Sequence, residues 1–141
     1  MRNVLLLILL CLFTGKAVAQ DEQIVFPVPG KESTEPSALF FEDVYLREQG
    51  VQHLGVDIPA PEGTVVVSPV DGTVVVNRTN IPDPFSAYLV IKSEETGFEH
   101  VLAHIRSGLT TSSSVVAGTP VGTIVTAGTG PHLHYGINEL S

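Results

Sequence analysis

Cysteine is almost missing from this sequence: its 141 residues hold one, Cys11, inside the first apolar stretch. Charged residues are also sparse, at 16% against 43% hydrophobic, which excludes the polar, highly charged composition of chains that stay disordered. Basic residues are the scarcer sign, seven against fifteen acidic for a net charge of −8, and that excludes a surface built to grip nucleic-acid phosphates or an anionic membrane. No long hydrophobic run occurs. The longest, Val4 to Phe13, would extend about 15 Å as a helix, against the ~20 residues needed to cross a bilayer. A length of 141 residues allows one domain and argues against two.

What is present at the start is a positive Arg2, that short apolar run, and the small-residue site Ala17-Val18-Ala19. This is the pattern of a secretory signal peptide, residues 1–19, cleaved before Gln20. Arg2, Lys16 and Cys11 leave with it, so the exported part carries five basic against fifteen acidic side chains and no thiol. Disulfides and cysteine nucleophiles are thereby excluded, and any metal site has to be built from histidine and carboxylate. An exported, periplasmic or extracellular location is expected, with no membrane span left after cleavage.

Residues 20–37 are rich in Asp, Glu, Pro, Ser and Gly and read as a flexible tether, leaving 38–141 as the folded domain. From Ala38 onward, short runs of Val, Ile, Thr and Tyr alternate with Gly, Pro and Asp about every ten residues, which predicts an all-β sandwich or barrel. Strands are expected at 55–58, 64–68, 72–78, 87–93, 98–105, 121–127 and 132–138. Gly63-Thr64, Gly72-Thr73 and Gly118-Thr119 each open an apolar strand, as hairpin grammar requires. Lipoyl- and biotinyl-type carriers use similar hairpins but need a lysine at a hairpin tip, and neither Lys31 nor Lys92 sits between the paired strands. Asn77-Arg78-Thr79 is a glycosylation sequon of the kind that arises by chance.

The five histidines, at 53, 100, 104, 132 and 134, all fall in the domain. On a strand, side chains i and i+2 leave the same face, so His132 and His134 enter one cleft while Leu133 enters the opposite layer. His53 and Asp57 stand i, i+4, about 13 Å apart on an extended strand, whereas ligands of one Zn²⁺ lie about 2.0–2.2 Å from it. The segment has to bend for both to bind, and Gly55 is where it can. As strand residues, His100 and His104 share a face with Phe98 and Leu102, and position alone does not say which of the two serves the cleft.

His53-x-Gly55-x-Asp57, Pro69-x-Asp71-Gly72, Ala103-His104 and Gly130-Pro131-His132-Leu133-His134, in that order, resemble the lysostaphin and LytM family of zinc metallopeptidases, over about Gln52 to Ile137. The resemblance implies a two-layer antiparallel β-sandwich with an open groove, of the barrel-sandwich-hybrid or duplicated-hybrid-motif kind. It implies one Zn²⁺ held by His53, Asp57 and His134, with an open position for water. His104 and His132 would be the catalytic histidines, His132 as general base and His104 as donor to the oxyanion, although the sequence does not separate these roles. His100 has no part in the pattern and is taken as structural. The substrate implied is the peptide cross-link of bacterial peptidoglycan, cleaved as a metalloendopeptidase cleaves it.

Two departures stand out. Leu102 occupies a position where the family commonly has tyrosine, and Gly136 one where an acidic residue often follows, so a partner supporting the ligands is expected to be missing. The alternative function is a catalytically weak module that binds peptidoglycan or activates a separate wall amidase; such relatives usually lose ligands, and this chain keeps all three. A purely structural metal site would close its shell with four protein ligands.

Overall fold

Valine, isoleucine and threonine suit a pleated, half-buried backbone, and the runs rich in them fold as strands. The computed structural model describes residues 23–39, 42, 47, 50, 52–128 and 130–138; the expected signal peptide lies outside the described residues. Ten strands follow in order: β1 (Val56–Pro59), β2 (Val65–Val67), β3 (Gly72–Asn77), β4 (Tyr88–Ser93), β5 (Glu99–Ala103), β6 (Ile105–Arg106), β7 (Ser114–Val115), β8 (Pro120–Ile124), β9 (Thr126–Ala127) and β10 (Gly130–Asn138). A 3₁₀ turn among the described residues, Pro84–Ser86, precedes β4. Among the described residues no helix is long and apolar enough to cross a membrane.

Among the described residues all strand pairings are antiparallel. The larger sheet runs β1-β10-β5-β4-β3-β7, with β9 paired to the start of β10, and the smaller is β2-β8-β6. The larger sheet does not close into a barrel, and the expected two-layer all-β fold is the one found. Between the layers lies one core, with Val74, Leu89, Ile91, Leu102 and Leu133 from the larger sheet against Val66, Ile105, Val121 and Ile124 from the smaller. Two of the three Gly-Thr pairs turn as hairpin grammar predicts, with Gly63 at φ +83° and Gly118 at φ +79°.

Two expected strands are each broken in two. The run 98–105 is interrupted at His104, whose φ of 61° ends β5 and sends the chain into β6 in the other sheet. The run 121–127 divides into β8 and β9, and the two-residue β7 was not anticipated at all, being too short to show a pattern.

Part of the stretch expected as a tether is docked on the domain. Val25 N donates to Pro69 O (2.8 Å), Val67 N donates to Pro27 O (2.9 Å), and Val28 is fully buried in the core. Ile24-Val25-Phe26-Pro27-Val28 is an apolar run whose two flanks are acidic and Gly/Pro-rich, and those flanks obscured it. The sequon is also explained. Asn77 Nδ2 donates to Leu109 O at 2.6 Å, while its Oδ1 accepts from the backbone and hydroxyl of buried Thr79, so the amide is engaged at both ends.

Candidate metal centre

β10 carries the first two histidines of the site. Leu133 is fully buried in the core, so its neighbours His132 and His134 are turned to the opposite face. β1 pairs with β10 in a register that sets Asp57 opposite His134 and Pro59 opposite His132. Directly opposed residues are the closest side-chain neighbours a sheet offers, and His134 Nδ1 lies 2.9 Å from Asp57 Oδ1.

His53 reaches the same point because the chain bends at Gly55 and does not continue β1 backwards. Its Nε2 lies 3.0 Å from Asp57 Oδ1 and 3.0 Å from His134 Nδ1, although an extended chain would hold residues 53 and 57 about 13 Å apart. Room for the bend is made by two glycines. A Cβ on Gly55 would meet Tyr135 O at 2.5 Å and His134 Nε2 at 2.8 Å, and a Cβ on Gly136 would meet Leu54 O at 2.6 Å. The glycine at 136 is therefore a close-approach position that admits the His53–Gly55 segment, and an acidic side chain there would collide with it.

His53 is 2% exposed and Asp57 8% exposed, so these polar groups are withdrawn from water and need partners. The His53 Nδ1–H donates to Leu39 O (2.8 Å), which leaves a lone pair on Nε2, facing a carboxylate oxygen. Burial pushes the Asp57 carboxyl up, but the hydrogen bond from His134 and the nearby charges of His132, His53 and His134 outweigh it and hold Asp57 below the usual carboxylate range. Three atoms able to act as metal ligands thus converge on one point. The three atoms, 2.9–3.0 Å apart, are close enough to one another to be offered to a single ion. His53, Asp57 and His134 form a group that could hold a metal ion, and the donor set of two imidazoles and a carboxylate fits zinc.

The remaining two expected residues line the approach to this triangle. His132 lies outside it, with Nε2 3.8 Å from Asp57 Oδ2, and its Nδ1–H donates to Gly130 O at 2.9 Å. His104 meets His132 edge to face at 4.6 Å between ring centres and His134 at 6.0 Å. Strand parity would have put His104 on the face of Leu102; the left-handed backbone at 104 turns it into the groove instead. That conformation is held at both ends, by His104 N donating to Ala87 O (2.8 Å) and Val125 N donating to His104 O (2.9 Å). His100, in contrast, stays fully buried on the core side, with its Nδ1 2.9 Å from the Tyr135 hydroxyl. The two histidines therefore do not share a face, and the cleft receives His104.

Burial, joined by repulsion from His132 and His134, pushes His104 from the ordinary 6.5 down to about 4. Because the folded value lies below the unfolded one, stability held above about pH 6.5 is lost as pH falls toward 4, the unfolded chain taking the proton first. In metal-free protein this contributes on the order of 1–2 kcal/mol, solvent in the groove screening part of the full shift. His104→Asn keeps a residue type that tolerates φ > 0 and should flatten the fall in unfolding free energy between pH 7 and pH 5. Urea titrations of both proteins at the two pH values measure it, and equal slopes would refute it.

Two groups at the site carried no signal we read in the sequence. Phe85, 57% exposed on the 3₁₀ turn, lies 5.4 Å from the His104 ring, and the turn itself is capped by Asp83, which accepts from Phe85 N and the Ser86 hydroxyl. Asp83-Pro84 was a legible turn signal, though its nearness to His104 was not. Leu39 acts through its carbonyl, which no side-chain pattern reports.

A family model described as Peptidase family M23 matches residues 51–141. Among solved structures, a zinc containing peptidase from Vibrio cholerae is 26% identical, with a TM-score of 0.63 over 82% of this chain and 37% of that one. Csd3 from Helicobacter pylori is 28% identical, with a TM-score of 0.61 over 82% of this chain and 30% of that one. The catalytic domain of lysostaphin from Staphylococcus simulans shares the fold at 24% identity and a TM-score of 0.56, over 65% of this chain and 72% of that one. The chain spans about a third of the length of the first two. Comparison with curated protein sequences gave no match.

Proposed function

The chain belongs to peptidase family M23, and we propose that it is an exported zinc metalloendopeptidase that hydrolyses the peptide cross-links of bacterial peptidoglycan. The observation that carries this reading is the triangle of His53 Nε2, Asp57 Oδ1 and His134 Nδ1, 2.9–3.0 Å on a side, with two further histidines beside it. Three protein ligands with a free position is the pattern of catalytic zinc, whereas a structural site takes four. The solved neighbour described as a zinc containing peptidase, 26% identical, supports it.

Zinc bound there supplies a Lewis acid that polarises a carbonyl and lowers the pKa of water toward ~7. The remaining chemistry belongs to this chain. His132 has its Nδ1 hydrogen committed to Gly130 O, so Nε2 presents the lone pair and takes a proton from the attacking water. That Nε2 lies 3.8 Å from Asp57 Oδ2, beside the converging ligand atoms. His104, depressed to about 4, stays neutral through the physiological range. Its Nδ1 is 3.5 Å from Pro84 O, a long contact that leaves either ring nitrogen able to carry the single hydrogen offered to the oxyanion.

The test uses residues 20–141 with purified peptidoglycan and counts new amino termini. Release that a chelator abolishes and added zinc restores is the expected result. Stoichiometric zinc with intact wall material from several sources would overturn the hydrolase and leave a binding or activating module.

A further inference from the structure

The family match begins at residue 51, yet the two ligands nearest the N-terminus are held by residues that precede it. Ser37, Ala38 and Leu39 lie alongside β1 at the metal centre. Ser37 N donates to Asp57 O (2.9 Å), Asp57 N donates to Ala38 O (2.9 Å), and Ala38 pairs with Asp57 as an antiparallel bridge. One residue on, Leu39 O accepts from His53 Nδ1 at 2.8 Å. Both backbone groups of one ligand and the second ring nitrogen of another are thus taken by three consecutive residues. The stretch is also tethered upstream, where Val28 is buried in the core and Pro27 O accepts from Val67 N.

We propose that residues 37–39 are a positioning strap for the metal ligands, so that the working unit of this protein starts well before the family domain. The inference rests on the metal reading above. The strap acts in two ways. An imidazole has two nitrogens and, when neutral, one hydrogen; by accepting that hydrogen at Nδ1, Leu39 O assigns the lone pair to Nε2, the atom that faces Asp57 and His134. Bracketing Asp57 by two backbone hydrogen bonds fixes the edge of β1, and with it the direction in which the carboxylate leaves the sheet. β1 is an edge strand, and its outer side would otherwise present unpaired backbone at the ligand itself. The strap meets the ligands through backbone groups, with the Ser37 hydroxyl also 3.5 Å from Asp57 O, so it is a positioning element and not part of the catalytic set.

Two measurements on the full mature chain decide this. The first needs no metal: nitrogen-detected NMR of the metal-free protein is expected to find the His53 hydrogen on Nδ1, and finding it on Nε2 would overturn the proposal. The second compares wild type with Ser37→Pro, which deletes the N–H given to Asp57 O, and with Ala38→Arg, which puts a long charged side chain where a buried alanine sits. Zinc affinity, measured by competition with a chromophoric chelator, is expected to fall by about tenfold or more in each, as loss of ligand-supporting partners does. A folded variant that binds zinc as tightly as wild type would overturn the strap; if both variants fail to fold, the tautomer measurement decides alone. Failure of the wild type itself to bind zinc would instead sink the metal reading, with the His53 tautomer still testing the strap.

Discussion

Replacing His132 by alanine is expected to lower turnover by a factor of about 10²–10⁴, the usual worth of a positioned general base, with bound metal unchanged. The separation of the two effects follows from geometry. His132 Nε2 stands 3.8 Å from the outer carboxylate oxygen of Asp57, while the three converging atoms lie within 3.0 Å of one another and do not include it. Removing the ring leaves Asp57 and His134 in register across β1 and β10, since that pairing is made by backbone and by the neighbouring core residue Leu133. Metal content and initial rate, measured on the same preparations, check the result. A variant that loses metal in step with activity would make His132 a ligand, and one with wild-type rate would remove it from the reaction.

Gly55→Ala is expected to damage the centre without touching any polar group. One added methyl would lie 2.5 Å from Tyr135 O, 2.8 Å from His134 Nε2 and 2.9 Å from His134 Cε1. The first is backbone of the strand that bears the ligand, so it cannot swing aside. Either the His53–Gly55 segment lifts or the His134 ring tilts, and both pull the triangle apart. Overpacking of this kind costs about 1–3 kcal/mol, so the melting temperature should fall by several degrees. Zinc affinity should fall by at least about tenfold, because a ligand ring is directly in the way. Gly136→Ala provides the contrast. Its methyl would strike Leu54 O at 2.6 Å but no ligand ring, so stability should drop with less loss of affinity. Thermal unfolding of metal-free protein and zinc titration of both variants separate the two, and equal affinity loss in both would show that the segment, not the ring, is what moves.

The layered β-fold was legible because its cause is repetitive: apolar β-branched runs broken by Gly, Pro and Asp report strands wherever they occur. The meeting of His53, Asp57, His132 and His134 was legible for a different reason. An i, i+2 pair on a strand has one geometric outcome. An extended segment lets residues 53 and 57 meet only if it bends, as Gly55 allows, and the family resemblance joined the two pairs in one site. What parity could not deliver was His104. A period of two assumes an unbroken strand, and a single residue at φ 61°, clamped by Ala87 and Val125, reverses the face of everything after it. Val28 and Leu39 were hidden for other reasons again. The first lies in a short apolar run between polar flanks, and the second contributes a carbonyl, which every residue possesses.

Pairing of β1 with β10 sets a timetable as well as a site. His53 and Asp57 enter the growing chain some seventy-five residues before His132 and His134, and closing so long a loop is entropically costly and slow compared with forming the local hairpins. Until β10 is made and slots between β1 and β5, the triangle lacks its third corner, His134 Nδ1. A nascent or partly folded chain therefore lacks the full triangle of ligand atoms, which is assembled only when the last strand described is in place.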